Sequence, residues 1–330
     1  MSALVAVPPE RVGVVLAAGG ERLVAWYTGV LAGLADEGLD LRRSPAVVGT
    51  SAGALVAARL AAGADPRDAA GRLAGRRPRP AAPPHAPAPA AQLFAQLART
   101  LAETPGSEAE RRRAIGRLAV ERSPGGAEEH VARMRERLPA GPWPAALRVV
   151  ALDAGTGERV VFDRTSGAPL DRVVAAARSV PLLLAPVSIG GRVCVDGAIA
   201  SSTSADVLAR DGAVELALVV TGSPAEAAPD SVDGLWNAAL AEELRALEAA
   251  GIGTLLVRAT AAERAAMGPD PMSRATAHRA VAAGRRRGRE LVRPRRAAHG
   301  REDAAVEAGV RAAITPPRAR PAQKMSGGYS

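Results

Sequence analysis

The chain has 330 residues, of which 48% are hydrophobic and only 2% aromatic, and its formal net charge at pH 7 is +9. A chain of this length can form one large α/β domain, and with so few aromatic residues its core must consist mainly of Ala, Leu and Val. The single cysteine, Cys194, excludes an internal disulfide and a metal site built from cysteines.

The first residues carry no pattern typical of export. They contain neither a basic segment nor a recognisable cleavage site. The longest uncharged runs, such as residues 179–191, are short and interrupted by proline and glycine, so none is expected to span a bilayer. We therefore expect a cytoplasmic protein.

A glycine turn joins the first predicted strand, residues 12–17, to a helix predicted over residues 23–37. The connection reads Ala18-Gly19-Gly20-Glu21-Arg22. Glycines at this point leave backbone N–H groups free to face an anion, with the helix dipole behind them. In an acyl-transfer enzyme that anion is the oxygen of the tetrahedral intermediate. An ordinary strand-to-helix turn is the alternative interpretation.

A second strand, turn and helix follow at once. Residues 46–48 predict the end of a buried strand, and residues 54–63 predict a helix. Between them lies Gly49-Thr50-Ser51-Ala52-Gly53. This G-x-S-x-G pattern is typical of a nucleophile elbow, in which a sharp turn exposes a serine and any Cβ at the glycines would collide with neighbouring backbone. A turn of small residues that only packs strand on helix is the alternative.

Residues 64–146 form a predicted insertion before the next strand. Residues 76–91 contain six prolines and cannot form a regular helix or a central strand, so a mobile loop or extended linker is expected. Residues 92–138 show helical patterns of apolar residues. The insertion would lie over the predicted active rim as a lid, or act as a structural spacer.

Predicted strands and helices alternate in the later part of the chain. Strands are predicted at 147–152, 159–162, 193–195, 214–220 and 254–258, and helices at 170–179, 203–210 and 233–250.

The strand 193–195 ends at Asp196, which is followed by Gly197. Because the carboxyl ends of parallel strands meet at one rim, Asp196 is expected near Ser51, where it could accept the serine proton without a histidine. An Asp-Gly turn without a catalytic role is the alternative.

In their order, these three segments resemble the patatin-like phospholipase family, whose members are serine acyl hydrolases with a Ser-Asp dyad. The resemblance covers residues 11–63 and 147–222. Supporting matches are Tyr27-Thr28-Gly29-Val30-Leu31, the hairpin around Gly155-Thr156-Gly157, and Arg178-Ser179-Val180-Pro181 with Ala185-Pro186-Val187. The resemblance implies a three-layer α/β/α fold with a mostly parallel central sheet and a helical insertion.

The resemblance also implies a site that cleaves the carboxylic ester of a lipid, with no cofactor and no metal ion. Its residues would be the nucleophile Ser51 and the base Asp196, the oxyanion loop of Gly19, Gly20, Glu21 and Arg22, and the elbow glycines Gly49 and Gly53. Asp153, which precedes the predicted hairpin, is the competing carboxylate. Which ester is cleaved is left open: phospholipid, lysophospholipid, glyceride and acyl thioester all fit this chemistry.

The chain departs from the family pattern around the oxyanion loop and after Asp196. Ala18 stands where the family has the first of three glycines, Leu23 where a glycine is common, and Ser201-Ser202-Thr203 replaces Asn-x-Pro. The carboxylate of Glu21 would oppose the developing negative charge unless its side chain turned to solvent. A catalytically impaired homologue that binds or regulates is therefore the alternative function.

The histidines favour a dyad over a triad, because none of them follows a strand as a triad histidine does. They are His85, His130, His278 and His299, and each is expected at the surface. A rival resemblance links residues 16–22 to nucleotidyltransferases, but the arginine spacing is short and the only lysine is Lys324. The chain contains neither a Rossmann fingerprint nor a Walker A motif.

The positive charge is concentrated in residues 272–301, which hold ten arginines and one acid, Glu290. This predicted helical end could bind an anionic membrane surface. The arginines proposed for that contact are Arg285, Arg286, Arg287, Arg289, Arg293, Arg295 and Arg296. A nucleic-acid role is disfavoured because the segment has no aromatic residue for base stacking. A solvated helix face is the alternative.

The acyl hydrolase domain is predicted over 1–315 and a disordered tail over 316–330.

Overall fold

The structure, a computed structural model, describes residues 3–75 and 90–293. Most of the predicted proline-rich stretch and the whole predicted tail lie outside these residues, as do Arg295 and Arg296. Within them, the strands are β1 (Val12–Leu16), β2 (Val47–Thr50), β3 (Leu147–Asp153), β4 (Arg159–Phe162), β5 (Val187–Ile189), β6 (Arg192–Asp196), β7 (Leu216–Thr221) and β8 (Gly253–Arg258). They form one sheet in the order β5-β6-β3-β2-β1-β7-β8, with β4 also paired to β3.

The helices are α1 (Ala3–Ala6), α2 (Gly20–Asp36), α3 (Ala52–Ala61), α4 (Pro66–Ala74), α5 (Ala90–Glu103), α6 (Glu108–Arg122), α7 (Ala127–Arg135), α8 (Leu170–Ala176), α9 (Val232–Ala249), α10 (Ala261–Met267) and α11 (Ala277–Val292). Short 3₁₀ helices span Pro9–Arg11, Leu41–Arg43, Gly197–Ile199 and Ala205–Arg210. In this part of the chain, no helix is both long and apolar enough to cross a membrane.

Alternate residues of the central strands face two separate cores. Val14 and Leu16 of β1 pack with α2, α3, α8 and α11, whereas Val15 packs with α9 and the 3₁₀ segment Ala205–Arg210. The strands β3, β2, β1, β7 and β8 run parallel, and β4, β5 and β6 add antiparallel pairs. The predicted α/β/α fold with a mostly parallel sheet is therefore confirmed.

The strand register brings the two predicted catalytic residues together. Thr50, the last residue of β2, pairs with Val150 of β3. Asp196, the last residue of β6, pairs with the next residue of β3, Ala151. Ser51 follows Thr50 directly. The serine and the aspartate therefore lie at the same level along β3, one on each side of it.

The arginine-rich helix α11 is packed into the domain through its small residues. A Cβ at Gly33 of α2 would overlap the Arg285 carbonyl oxygen, and a Cβ at Gly288 of α11 would overlap the Val30 carbonyl oxygen. Only glycine allows the two helix backbones to approach this closely. The interpretation of this end as a solvated helix face is therefore incomplete, because one face of α11 is buried on α2.

Candidate active site

Ser51 occupies a strained turn between β2 and α3. Its φ of 52° and ψ of −115° are unfavourable for a residue with a Cβ, and such strain is typical of functional turns. A Cβ at Gly53 would overlap the Leu16 carbonyl oxygen, and one at Gly49 would lie 2.6 Å from the Ala54 Cα. The two glycines therefore let the elbow pack against β1 and α3.

Asp196 is buried at the end of β6, with 2% of its surface exposed. Its backbone N–H donates to the Ser179 carbonyl at 3.0 Å, and its Oδ1 accepts from the Ala198 N–H at 2.9 Å. Burial raises the pKa of Asp196 to about 6, opposed by the Ser51 hydroxyl, the Ala198 N–H and the charge of Arg178. The carboxylate is therefore ionised at neutral pH and next to the serine hydroxyl.

The glycine turn lies opposite this pair. Gly19 and Gly20 have φ values of 148° and 78°, a region that favours glycine. Gly20 begins α2, so the N–H groups of Gly20 and Glu21 have no partner within the helix. Both glycines line a cavity of about 60 Å³ with Ser51 and Asp196. The structure therefore brings the predicted dyad and the predicted oxyanion glycines to one cavity.

Glu21 points away from this cavity into a cluster of arginines, with only 9% of its side chain exposed. Its Oε1 accepts from Arg137 Nη1 at 2.8 Å, and its Oε2 accepts from Arg274 Nε at 2.8 Å; Arg178 Nη2 also donates to Oε1. Burial alone would raise the pKa of Glu21, but Arg178, Arg137 and Arg274 hold it below its usual value. The side chain of Glu21 does not turn to solvent; three guanidinium groups neutralise its carboxylate instead.

Arg22 does not line the cavity. Its Nη1 donates to the Gly268 carbonyl at 2.7 Å, and its backbone N–H donates to the Pro271 carbonyl at 3.2 Å. Both acceptors lie between α10 and α11. Arg22 therefore attaches the start of α2 to that loop through its Nη1 and its backbone N–H, and this N–H is not available to an oxyanion.

Apolar side chains from two helices complete the cavity. Leu97, Ala98 and Leu101 of α5 line one side, and Leu235 and Trp236 of α9 another. Since α5 belongs to the predicted insertion, that insertion does contribute a wall over the serine. As far as the described residues line it, the cavity is thus a mainly apolar slot with polar groups at Ser51, Asp196 and the glycine turn.

A family profile described as Patatin-like phospholipase matches residues 14–209, more than half of the chain. The chain belongs to this family. Membership of the patatin-like phospholipases supports lipid ester hydrolase activity in general terms. A search of curated protein sequences gives no significant match.

Two solved structures are similar to this patatin-like chain. VipD from Legionella pneumophila is 15% identical with a TM-score of 0.45, and the similarity covers 86% of this chain and 67% of that one. The type III effector protein ExoU is 17% identical with a TM-score of 0.36, and the similarity covers 86% of this chain and 53% of that one. The chain therefore spans about two thirds of VipD and about half of ExoU.

The segment that replaces Asn-x-Pro is held by Glu243, a buried residue of α9 that the sequence did not single out. Glu243 Oε2 accepts from Thr203 Oγ1 at 2.5 Å and from the Ala205 N–H at 2.8 Å, and Oε1 accepts from Ser201 Oγ. The Ser202 carbonyl in turn accepts from the Ala18 N–H at 2.8 Å. Glu243 therefore fixes a loop that touches the start of the glycine turn.

Arg178 links the two halves of the site. Its Nη1 donates to the Ser51 carbonyl at 3.1 Å, and its Nη2 donates to Glu21. The side chain is 6% exposed, and its Nε has no hydrogen-bond partner among the described residues. Arg178 belongs to one of the segments that match the family pattern, but the sequence did not indicate that its side chain donates to the Ser51 carbonyl.

The prediction that each histidine lies at the surface is wrong for His130, which is 3% exposed. The packing of α7 on α8 places its Nε2 3.1 Å from the Ala175 carbonyl, to which it donates. Burial and the charge of Arg178 lower the pKa of His130 to about 4, so the ring is neutral. His278 is half-buried on α11, and His85 and His299 lie outside the described residues.

Several arginines of the basic end are paired with acids. Arg285 and Arg289 donate to Asp36 at 2.7 and 2.8 Å, and Arg293 donates to Glu37 at 3.0 Å. Arg286 is exposed, and Arg287 lies 4.0 Å from Glu290. Part of the positive charge predicted for a membrane surface is therefore neutralised within the domain.

Proposed function

We propose that this chain is a serine acyl hydrolase that cleaves a carboxylic ester of a lipid through Ser51 and Asp196. The observation that supports it best is one small cavity in which a strained serine, a buried aspartate and a glycine turn meet below an apolar wall. Family membership supports the broader class of lipid ester hydrolases.

In the proposed reaction, Asp196 accepts the proton of the Ser51 hydroxyl as Oγ attacks the ester carbonyl. The N–H groups of Gly19, Gly20 and Glu21 stabilise the oxygen that becomes negative. The intermediate collapses to an acyl-enzyme and expels the alcohol, which takes the proton from Asp196. Water, deprotonated by Asp196, then attacks the acyl-enzyme. The fatty acid is released, and Ser51 Oγ takes the proton back from Asp196, which restores both residues.

The apolar slot suits the acyl chain, because Leu97, Leu101 and Leu235 offer no charge and no fixed polar group to it. Glu21 does not oppose the oxyanion, since its carboxylate faces Arg137, Arg178 and Arg274. This arrangement argues against the impaired homologue that the sequence left open.

Hydrolysis of a short-chain nitrophenyl ester tests the proposal. Ser51→Ala should retain no more than a few per cent of the wild-type rate and still fold, because alanine is smaller and fits the turn. Ser188→Ala, at an exposed serine of β5, is the matched control and should keep full activity. Activity that remains in Ser51→Ala would show that another residue is the nucleophile. A folded wild type that hydrolyses no ester would favour the binding-only alternative.

The basic end keeps a proposed membrane role. Among the described arginines proposed for this contact, Arg286 is the one exposed to solvent with no acidic partner in the described part of the chain. Each basic side chain near an anionic surface contributes about 1 kcal/mol, screened by salt. Sedimentation with anionic and zwitterionic vesicles should therefore show weak binding to the anionic vesicles alone, lost as salt rises. Equal binding to both, or none, would leave a solvated surface, and tight binding to duplex DNA would favour nucleic acid.

A further inference from the structure

Ser51 also lines a second cavity, of about 470 Å³, that differs from the apolar slot in chemistry. The two cavities share Gly20, Ser51 and Val180. Ester cleavage at Ser51 separates an acyl part from an alcohol part, so two cavities that meet at the serine can hold one part each. The apolar slot suits the acyl part, which leaves the second cavity, here named the basic chamber, for the alcohol part.

The lining of the basic chamber is strongly cationic. It includes Arg133, Arg137, Arg178 and Arg274, against two acids, Glu21 and Glu136. Four guanidinium groups and two carboxylates leave an excess of two positive charges. Glu21 is already shared by three of these arginines, so it cannot neutralise them all.

Two buried polar atoms of this lining have no partner among the described residues. They are the Nε of Arg178, a donor, and the Nδ1 of His130, an acceptor because Nε2 of that ring donates to Ala175. Both side chains are more than nine-tenths buried. Both atoms are closed to solvent, so Arg178 and His130 keep an unused donor and an unused acceptor within the wall of the chamber.

We infer that the basic chamber binds an anionic phosphate group on the alcohol part of the ester, in preference to a neutral alcohol or a quaternary ammonium headgroup. Guanidinium groups bind phosphate through charge-assisted hydrogen bonds, often bidentate. A quaternary ammonium group needs an aromatic face or an available acid, and no described residue of the lining is Phe, Tyr or Trp. Of the two acids, Glu21 is paired with three arginines, so Glu136 alone would have to outweigh the four guanidinium groups. This inference rests on the proposed function and adds the substrate class to it.

Three substrates with the same acyl chain isolate the headgroup: an acylglycerol phosphate, an acylglycerophosphocholine and a monoacylglycerol. The phosphate monoester should have the highest kcat/KM and the monoacylglycerol the lowest, with about tenfold or more between them, as expected for hydrogen bonds to a charged group. Equal values for all three, or a preference for choline, would overturn the inference.

Arg133→Gln tests the chamber itself, because Arg133 has only a loose ion pair with Glu129 at 3.8 Å and its loss should not impair folding. The preference for the phosphate ester over the monoacylglycerol should fall about tenfold. Arg135→Gln is the matched control on the same helix, since Arg135 pairs with Asp171 and does not line the chamber. An equal loss of preference in both variants would contradict the assignment.

Two further arms separate the possible outcomes. Inorganic phosphate should compete with the phosphate ester and raise its KM. A different result would show that the chamber binds free phosphate instead: no preference among the three headgroups, together with an effect of phosphate on hydrolysis of a neutral nitrophenyl ester. Calorimetric binding of the acylglycerol phosphate and the monoacylglycerol to Ser51→Ala needs no turnover. Tighter binding of the phosphate lipid there would support the chamber even if the proposed hydrolysis failed, and equal binding would overturn it.

Discussion

Two buried carboxylates flank Ser51, and their surroundings shift their pKa values in opposite directions. Asp196 faces a hydroxyl, one backbone N–H and the more distant charge of Arg178, and burial raises its pKa to about 6. Glu21 is buried to a similar extent but is in contact with three guanidinium groups, which hold its pKa below its usual value. Burial alone does not decide the role of a carboxylate; the number of cations in contact with it does.

This difference separates a carboxylate that can exchange a proton from one that cannot. A group whose pKa lies near neutral pH is suited to act as a general base. A carboxylate that is permanently ionised and shared by Arg137, Arg178 and Arg274 is suited to hold segments together. Removal of each charge should therefore have a different main effect, on catalysis for Asp196 and on stability for Glu21.

The largest expected effect is that of Asp196→Asn on turnover. The variant keeps the shape of the side chain but removes the base, so kcat should fall about 10² to 10⁴-fold with little change in KM. Steady-state hydrolysis of a nitrophenyl ester measures both constants. Asp153→Asn is the matched control, because Asp153 caps the β3–β4 turn through the Gly155 N–H at 2.8 Å. An inactive Asp153 variant beside an active Asp196 variant would reverse the assignment.

Glu21→Gln should act mainly on stability. It leaves three arginines facing an amide, and removal of one partner of a buried ion pair costs about 3 to 5 kcal/mol. Urea unfolding followed by circular dichroism would measure this loss. Glu248→Gln, at an exposed position of α9, should change stability by no more than about 0.5 kcal/mol. A loss of similar size in both variants would show that the arginine cluster does not depend on Glu21.

Glu243→Gln should have the smallest of these effects. Burial raises the pKa of Glu243, while hydrogen bonds from Ser201, Thr203 and the Ala205 N–H favour its charged form. An amide keeps one acceptor but loses the other, so the free energy of unfolding should fall by about 1 to 3 kcal/mol. The same unfolding measurement applies. A variant as stable as wild type would mean that Glu243 does not hold the 201–204 loop.

Local sequence patterns predicted much of the fold. The strands around 147–152, 159–162 and 254–258 are confirmed, because each is a short apolar or β-branched run bounded by turn residues. The strand β5, with only three residues, gave too short a pattern to be recognised. The segment predicted as helical over 203–210 is a 3₁₀ helix from Ala205 to Arg210, and the N–H groups of Thr203 and Ser204 just before it donate to the Ser201 hydroxyl.

The surroundings of the site residues could not be predicted in the same way. The G-x-S-x-G turn is a local feature, so Ser51 could be placed on its elbow from the sequence. The partners of Glu21 come from positions 137, 178 and 274, which no local pattern connects. The burial of His130 likewise depends on how α7 packs on α8, since nothing in its own helix distinguishes it from a surface histidine.

The pH dependence of serine labelling tests the central claim most directly. A fluorophosphonate probe should modify Ser51, identified by mass spectrometry of the labelled peptide. Because the base must be ionised, the labelling rate should rise with pH through a midpoint near 6, the pKa of Asp196, and fall about tenfold per pH unit below it. Labelling at another residue, or a rate that stays constant between pH 5 and 7.5, would contradict a Ser51–Asp196 dyad.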